Sequence, residues 1–289
     1  MAVATSNGSA AQHQYSAQEL ANWKLLLSPP PKRATAMMLE PGSTASIDLV
    51  VAAVGSQLLE FSAQLAASKC VSLFSRRFAY VGCGSVRKRY TGSEHAKEVD
   101  QSWNFQERLQ SLQMAFNSTN VVEVPNSWSR TEASAYFMHI TLHYDSLADR
   151  TVFVHSHMIS WHSAPLCSAL YSRSAHHAGG YASLNLGTKR LCVSAHSVRS
   201  NFNESSVALE RFRDATFSLW SRWTGSSPPE RITSVCCAQF VATRAALVQR
   251  PLLAWTRLLR ATAFDNAAGW EYLWPALVDE NAQAASDSC

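Results

Sequence analysis

The chain has 289 residues, 47% of them hydrophobic and 16% charged, with a formal net charge of +4. That balance excludes a disordered polyelectrolyte and suits a mostly enclosed α/β body with a sizeable core, since the charged fraction lies below the usual level of about a quarter. Basic residues form short clusters at Arg76-Arg77 and Arg87-Lys88-Arg89 without interleaved aromatics. No nucleic-acid partner is therefore expected, and both clusters read as solvated loops, with contact to a phosphate as the weaker alternative.

Taken in chain order, the first stretch is rich in Ala and Ser, with a Pro29-Pro30-Pro31 break and one helix signal, the capping box Ser16-Ala-Gln-Glu19. Ile47 to Val54 is nearly continuous apolar, which predicts a strand covered on both faces, and Leu58, Leu59 and Leu65 then suit a helix. Cys70 to Phe74 is a second strand candidate, followed from Arg76 to Ser102 by a polar stretch read as a long loop or insertion. Phe105, Leu109, Leu112 and Phe116 share one helical face, and Val121 to Val124 follows as a strand. A second capping box, Ser129-Arg-Thr-Glu132, opens a helix whose buried side holds Ala133, Tyr136, Ile140 and Tyr144. Asp145 to Arg150 then turns the chain into a strand over Thr151 to Val154. Further on, Pro165 to Ser172, Glu204 to Trp220, Arg244 to Gln249 and Leu252 to Ala263 read as helices, and Ser234 to Ala242 as a strand.

Strands alternating with helices predict an α/β fold, with a mostly parallel central sheet and helices on both faces. The boundaries that follow are an N-terminal tail at 1–45 with one short helix, a single α/β domain at 46–279 and a loose C-terminal tail at 280–289. The seven cysteines form no C-x-x-C pair, so a structural zinc site is not expected. Glycosylation triplets at Asn7, Asn117 and Asn203 permit a secretory life, although a serine-rich chain produces such triplets cheaply. No run has the length of a membrane helix, and the residues after Met1 do not form a leader. As written, the chain is expected to be soluble unless an anchor lies upstream of it, and the compartment stays open between the secretory pathway and the cytoplasm.

The richest stretch chemically is Thr151 to His162, Thr-Val-Phe-Val-His-Ser-His-Met-Ile-Ser-Trp-His. If strand geometry persists, His155 and His157 point to one face where the strand runs out. In open α/β sheets ligands collect at that carboxyl end. Imidazole nitrogens bind divalent transition metals or pair with phosphate, Trp161 offers a flat stacking surface, and His162 adds a third nitrogen. A histidine on an apolar face is more often a hydrogen-bonded core residue, but eight of the ten histidines lie between His139 and His196. His139 and His143, at i and i+4 without an adjacent Glu, read as packing and surface groups. Dinucleotide, Walker, nucleophile-elbow and D-x-D motifs are absent from the sequence.

Several blocks in order resemble an uncharacterised fungal and algal family marked by H-S-H-x-x-x-W-H. They are Val124-Pro-Asn126 with Arg130-Thr-Glu132-Ala, Tyr136 to Asp149, the His155 to His162 signature, and Gly180-Tyr181 to Asn185-Leu. Cys237-Ala-Gln239-Phe240 with Arg244, Arg250 and Pro251, and Glu271-Tyr-Leu-Trp274, complete the likeness, which spans Ile47 to Val278. Two positions depart from it, with Ser129 in place of a glycine and Pro275 in place of a histidine.

The resemblance implies a fold like that of GT-A glycosyltransferases, with the histidines standing where those enzymes carry D-x-D. The implied activity is that of a glycosyltransferase-like protein binding a nucleotide sugar or related glycan. A divalent metal ion would sit on His155, His157 and His162, with Glu271 as base and Glu132 as second choice, although the capping box already gives Glu132 a structural job. Asn126, Arg130, Trp161 and Gln239 would contact substrate. The alternatives are a non-catalytic carbohydrate- or metal-binding domain of the same fold and a metal-dependent hydrolase. Cys192 and Cys237, both in the later blocks, would form a disulfide in a secretory member.

Overall fold

The computed structural model describes residues 45–53, 55–82, 105–124, 132–156, 158, 165–174, 180–185, 190–194, 198–200, 206–224, 227–228, 231–235, 238–262 and 269–278. The capping box at Ser16 to Glu19, the triple proline and the Arg87 to Arg89 cluster lie outside these residues, as does all but Ala45 of the two expected tails. In chain order the strands are β1 (Ile47–Ala53), β2 (Arg76–Val81), β3 (Val121–Glu123), β4 (Arg150–His155), β5 (Tyr181–Ser183), β6 (Arg190–Ser194), β7 (Val198–Ser200), β8 (Arg231–Val235) and β9 (Phe240–Thr243). The α-helices are α1 (Gly55–Ala66), α2 (Phe105–Phe116), α3 (Glu132–Leu142), α4 (Leu166–Ser174), α5 (Ser206–Thr224), α6 (Arg244–Val248), α7 (Leu252–Ala261) and α8 (Trp270–Val278).

Six strands form the main sheet in the order β3-β2-β1-β4-β9-β5, and β7-β6-β8 form a smaller one. The first four of the main sheet are parallel, but β9 runs antiparallel to both β4 and β5. The sheet is therefore mixed and not mostly parallel as its alternation predicts. The regular β-then-α rhythm ends at α4. After it the chain builds the small sheet and α5, and β9 enters the main sheet from the carboxyl side of β4.

β1 sits at the centre because it can be buried on both faces: from Asp48 to Ala53 every residue is buried. Its side chains divide by alternation. Leu49, Val51 and Ala53 join Val152, Val154 and Val241 against Leu58, Phe61 and Leu65 of α1, Leu112 and Phe116 of α2, and Leu170 of α4. Val50 and Ala52 join Phe153 and Phe240 against Tyr136 and Phe137 of α3, Trp255 and Leu258 of α7, and Trp270 and Trp274 of α8. Helices on both faces are thus present, as expected.

Three sequence expectations need correction. Cys70 to Phe74 is not a strand: Val71–Leu73 forms a 3-10 turn, and Cys70 is bonded to Cys167 of α4 with a Cα separation of 5.4 Å. The second strand is instead Arg76–Val81, within the stretch read as a loop. Its two arginines are tethered in the structure, unlike the free side chains of a solvated loop. Arg76 forks onto Asp48 through Nε–Oδ1 at 2.8 Å and an Nη2–Oδ2 bond at 2.6 Å, and Arg77 donates to Asn117 O at 3.1 Å. The run Ser234 to Ala242 is also two strands in different sheets, divided before Phe240 at Ala238, whose φ of +36° breaks extended geometry.

Helix α8 escapes a periodicity reading because Pro275 lies inside it. Its far end is held by Arg250, which donates from Nε to Leu277 O at 2.6 Å and from Nη2 to Ala276 O at 3.0 Å. Arg250, part of a block that resembles the family, thus satisfies carbonyls of the last helical turn, which have no intrahelical donor.

A polar knot fills the amino end of the sheet. His139 is fully buried, shares a 3.2 Å hydrogen bond from Nδ1 with the Tyr80 hydroxyl, and packs against Phe78 and His143. Burial holds its imidazolium well below the ordinary value of 6.5, reinforced by His143 and Arg76. Half-buried His143 is lowered by burial and Arg76, with Asp48 opposing.

Above pH 6.5 these rings are neutral in both folded and unfolded chains, so they give no pH slope. Below it the unfolded chain takes up protons that the fold refuses. Stability should therefore fall as pH drops, by about 1.4 kcal/mol per unit for a fully refused proton. Urea unfolding at pH 7.5 and 5.5 should show this loss in wild type and a clearly smaller one in His139→Phe. Identical slopes in the two proteins would remove His139 from the explanation.

Candidate functional site

β1 and β4 are neighbours whose following helices lie on the same face as Val51 and Val154, while β2 and β3 extend the sheet the other way. The strand order changes direction between β1 and β4, and in open α/β sheets ligands collect outside the carboxyl ends of the strands. β4 ends at His155, which pairs in register with Ala52 of β1. Alternation puts His155 on the face of Phe153, that is, the side of α3 and α8. The small alanines Ala52 and Ala53 end β1, and both are buried.

The next residue is fastened down. Ser156 N donates to Ala52 O at 3.1 Å, and Ser156 Oγ donates to Gln57 Oε1 at 3.1 Å in the first turn of α1. Further along, Leu166 N donates to Met158 O at 2.9 Å, and Cys167 is bonded to Cys70. Both ends of the histidine segment are therefore anchored to the body of the fold.

Antiparallel β9 brings a second group to the same rim. Phe153 pairs with Phe240, so Gln239 and Ala238, which precede Phe240, stand beyond it towards the end of β4. β5 runs parallel to β4 and ends at the same level, with Ser183 opposite Phe240 and Leu184 N donating to Gln239 O at 2.9 Å. Gln239 and Asn185 are buried, and Gln239 Nε2 donates to Asn185 Oδ1 at 3.3 Å. Paired amides of this kind carry donors and acceptors that suit hydroxyl groups.

The candidate acids divide between two helices. Glu132 is half-buried in the first turn of α3, which begins on the carboxyl side of the sheet after β3. α8 points the same way. Trp274 packs on Phe240 and Tyr136 with ring centroids 5.0 and 5.6 Å apart, and the helix ends at the Arg250 clamp beyond the far end of β9. The backbone of residue 271 thus lies towards the carboxyl side, although nothing is described of the Glu271 side chain.

Of the residues singled out from sequence, His155 and Gln239 are placed at this rim, and Glu132 opens α3 on its side of the sheet. Asn126, Arg130, His157, Trp161 and His162 lie outside the described residues, as do Ser129 and Cys237, and the side chain of Cys192 is not described. Among the described residues no three His, Cys, Asp or Glu side chains come together to hold a metal ion. Nor is any described helix long and apolar enough to cross a membrane.

Sequence reasoning missed Asn185, Ser156 and Gln57. Asn185 and Ser156 stand inside blocks that carry the resemblance, which was the available signal; Gln57 had none. Residues 93–289 match the model of the family described as Protein of unknown function (DUF3431). The chain belongs to the DUF3431 family. All the candidate site residues from Asn126 to Glu271 lie within the matched part of this DUF3431 protein, whereas β1, α1 and β2, which complete its sheet, precede it. No curated protein and no solved structure matches it significantly.

Proposed function

We propose that this DUF3431 protein is glycosyltransferase-like and binds a nucleotide sugar or related glycan at the carboxyl end of its main sheet. The observation that carries this reading is the order β3-β2-β1-β4 with His155 at the end of β4, beside the switch in strand order. It supports a likeness to GT-A glycosyltransferases, in which the histidine stretch takes the place of the acidic motif. Gln239 and Asn185 would bind sugar hydroxyls, with Asn126, Arg130 and Trp161 as further contacts. His155 would face the diphosphate, where positive or polar groups favour the departing charge.

Glu271, with Glu132 as second choice, would accept the proton of the acceptor hydroxyl. A divalent ion, if used, would be held by His155 with His157 and His162, and would supply further charge to the leaving group. Pro275, where the resemblance leads one to expect a histidine, is buried inside α8. The exchange alters the packed side of that helix and, together with the absent D-x-D, is what favours the non-catalytic alternative.

Calorimetry with a panel of uridine and guanosine diphosphosugars should show binding to wild type. His155→Ala and Gln239→Ala should each weaken it by about tenfold or more, equivalent to ~1.4 kcal/mol. Thermal unfolding of each variant checks that the fold survives. Product formation identifies a transferase or a hydrolase, and binding without turnover identifies a non-catalytic domain. A folded wild type that binds no member of the panel would overturn the proposal.

A further inference from the structure

We infer that the chain matures in an oxidising secretory lumen and carries an N-linked glycan on Asn117. Two independent observations point there, and neither depends on the proposed function. The first is the Cys70–Cys167 disulfide, which closes a separation of 97 residues, with Cys70 wholly buried. A buried structural disulfide of this kind forms and persists in secreted and lumenal proteins and is rare where thiols are kept reduced.

The second is the setting of Asn117-Ser118-Thr119, an N-x-T acceptor triplet in the turn between α2 and β3. Asn117 and Thr119 are exposed, and the Asn117 backbone takes a φ of +49°, a left-handed conformation that asparagine tolerates in turns. The turn is held without the Asn117 side-chain amide. Arg77 donates to Asn117 O at 3.1 Å, Ser118 Oγ donates to Arg77 O at 2.7 Å, and Gln113 Nε2 donates to Thr119 O at 3.3 Å. A bulky sugar at this place therefore meets solvent and displaces no packing.

The turn lies at the amino end of the edge strand β3, with β2 and β1 between it and β4, so the glycan leaves the rim at His155 open. The triplets at Asn7 and Asn203 lie outside the described residues. In the transfer, the Asn117 amide nitrogen attacks C1 of a lipid-linked diphospho-oligosaccharide. An N–C bond forms, the C–O bond to the diphosphate breaks with its electron pair on the lipid diphosphate, and the amide loses one proton. The co-reactant and the membrane-bound transferase that handles it belong to the same lumen.

The test is peptide mapping of the full-length protein recovered from the cells that naturally make it, digested under non-reducing conditions. Two readouts are taken: the cross-linked Cys70–Cys167 peptide pair, and the mass of the tryptic peptide 109–130 before and after a glycan-releasing amidase. The expected result is the cross-link together with a glycan-sized mass loss, with Asn117 converted to aspartate. In the producing cells, Asn117→Gln and Thr119→Ala should abolish the modification and Thr119→Ser should retain it. A cross-linked pair with bare Asn117 overturns the glycan, and free thiols at Cys70 and Cys167 with bare Asn117 overturn the lumenal assignment as well.

Discussion

Replacing Trp274 with alanine should cost about 3–5 kcal/mol of folding stability, the range for deleting a large buried aromatic. Trp274 is fully buried in α8 and meets Phe137, Phe240 and Tyr136 at ring-centroid distances of 4.7, 5.0 and 5.6 Å. It thereby joins three elements: α8, the middle of α3 and the first residue of β9. The surrounding rings belong to a helix and a strand that cannot close the void without moving the sheet face, so the cavity penalty adds to the lost transfer energy.

A second substitution separates packing from hydrogen bonding. Trp274 Nε1 is buried and has no hydrogen-bond partner among the described residues. Trp274→Phe removes that donor together with part of the ring, so it should lose markedly less than the alanine variant. Urea denaturation midpoints of the three proteins provide the measurement. Equal stability of wild type and Trp274→Ala would mean that α8 does not pack on this face.

The Cys70–Cys167 bond should contribute a comparable amount. Chain entropy assigns about 4–5 kcal/mol to closing a loop near a hundred residues long, and measured values more often fall at about 2–4. The paired Cys70→Ala, Cys167→Ala variant should be less stable than wild type by that margin without reductant. Wild type treated with a strong reductant under partly denaturing conditions, where buried Cys70 becomes reachable, should move towards the variant. An unchanged unfolding midpoint in the variant would exclude any stabilising role for the bond.

Most of the central architecture is legible because it follows from alternation and period. β1 and β4 carry nearly continuous apolar runs and α2 a regular apolar face, and each lies within a residue or two of its expected place. β2 is hidden because its first two residues are arginines, and only the position of Asp48 in space turns Arg76 into a strand residue. α8 is hidden by Pro275, and the division of β8 from β9 depends on a backbone conformation at Ala238 that composition does not announce.

The candidate site shows the same division. His155 is legible as the end of a buried strand, whereas Asn185 becomes a partner of Gln239 only once β9 has turned antiparallel between β4 and β5. The direction of β9 is set by the intervening chain, which local pattern cannot foresee.

The bend at Ala238 also governs tolerance to insertions. Phe240 faces the aromatic cluster with Tyr136 and Trp274, and Val241 faces Val152 and Leu170 on the other side. Because strand side chains alternate, shifting β9 by one residue would exchange these two sets. A phenyl ring would then crowd the aliphatic layer while the aromatic layer lost one of its rings. Single-residue insertions or deletions between Ala238 and Phe240 should be poorly accommodated, while length changes confined to the chain between β6 and β7, in the smaller sheet, should leave the register of the main sheet untouched.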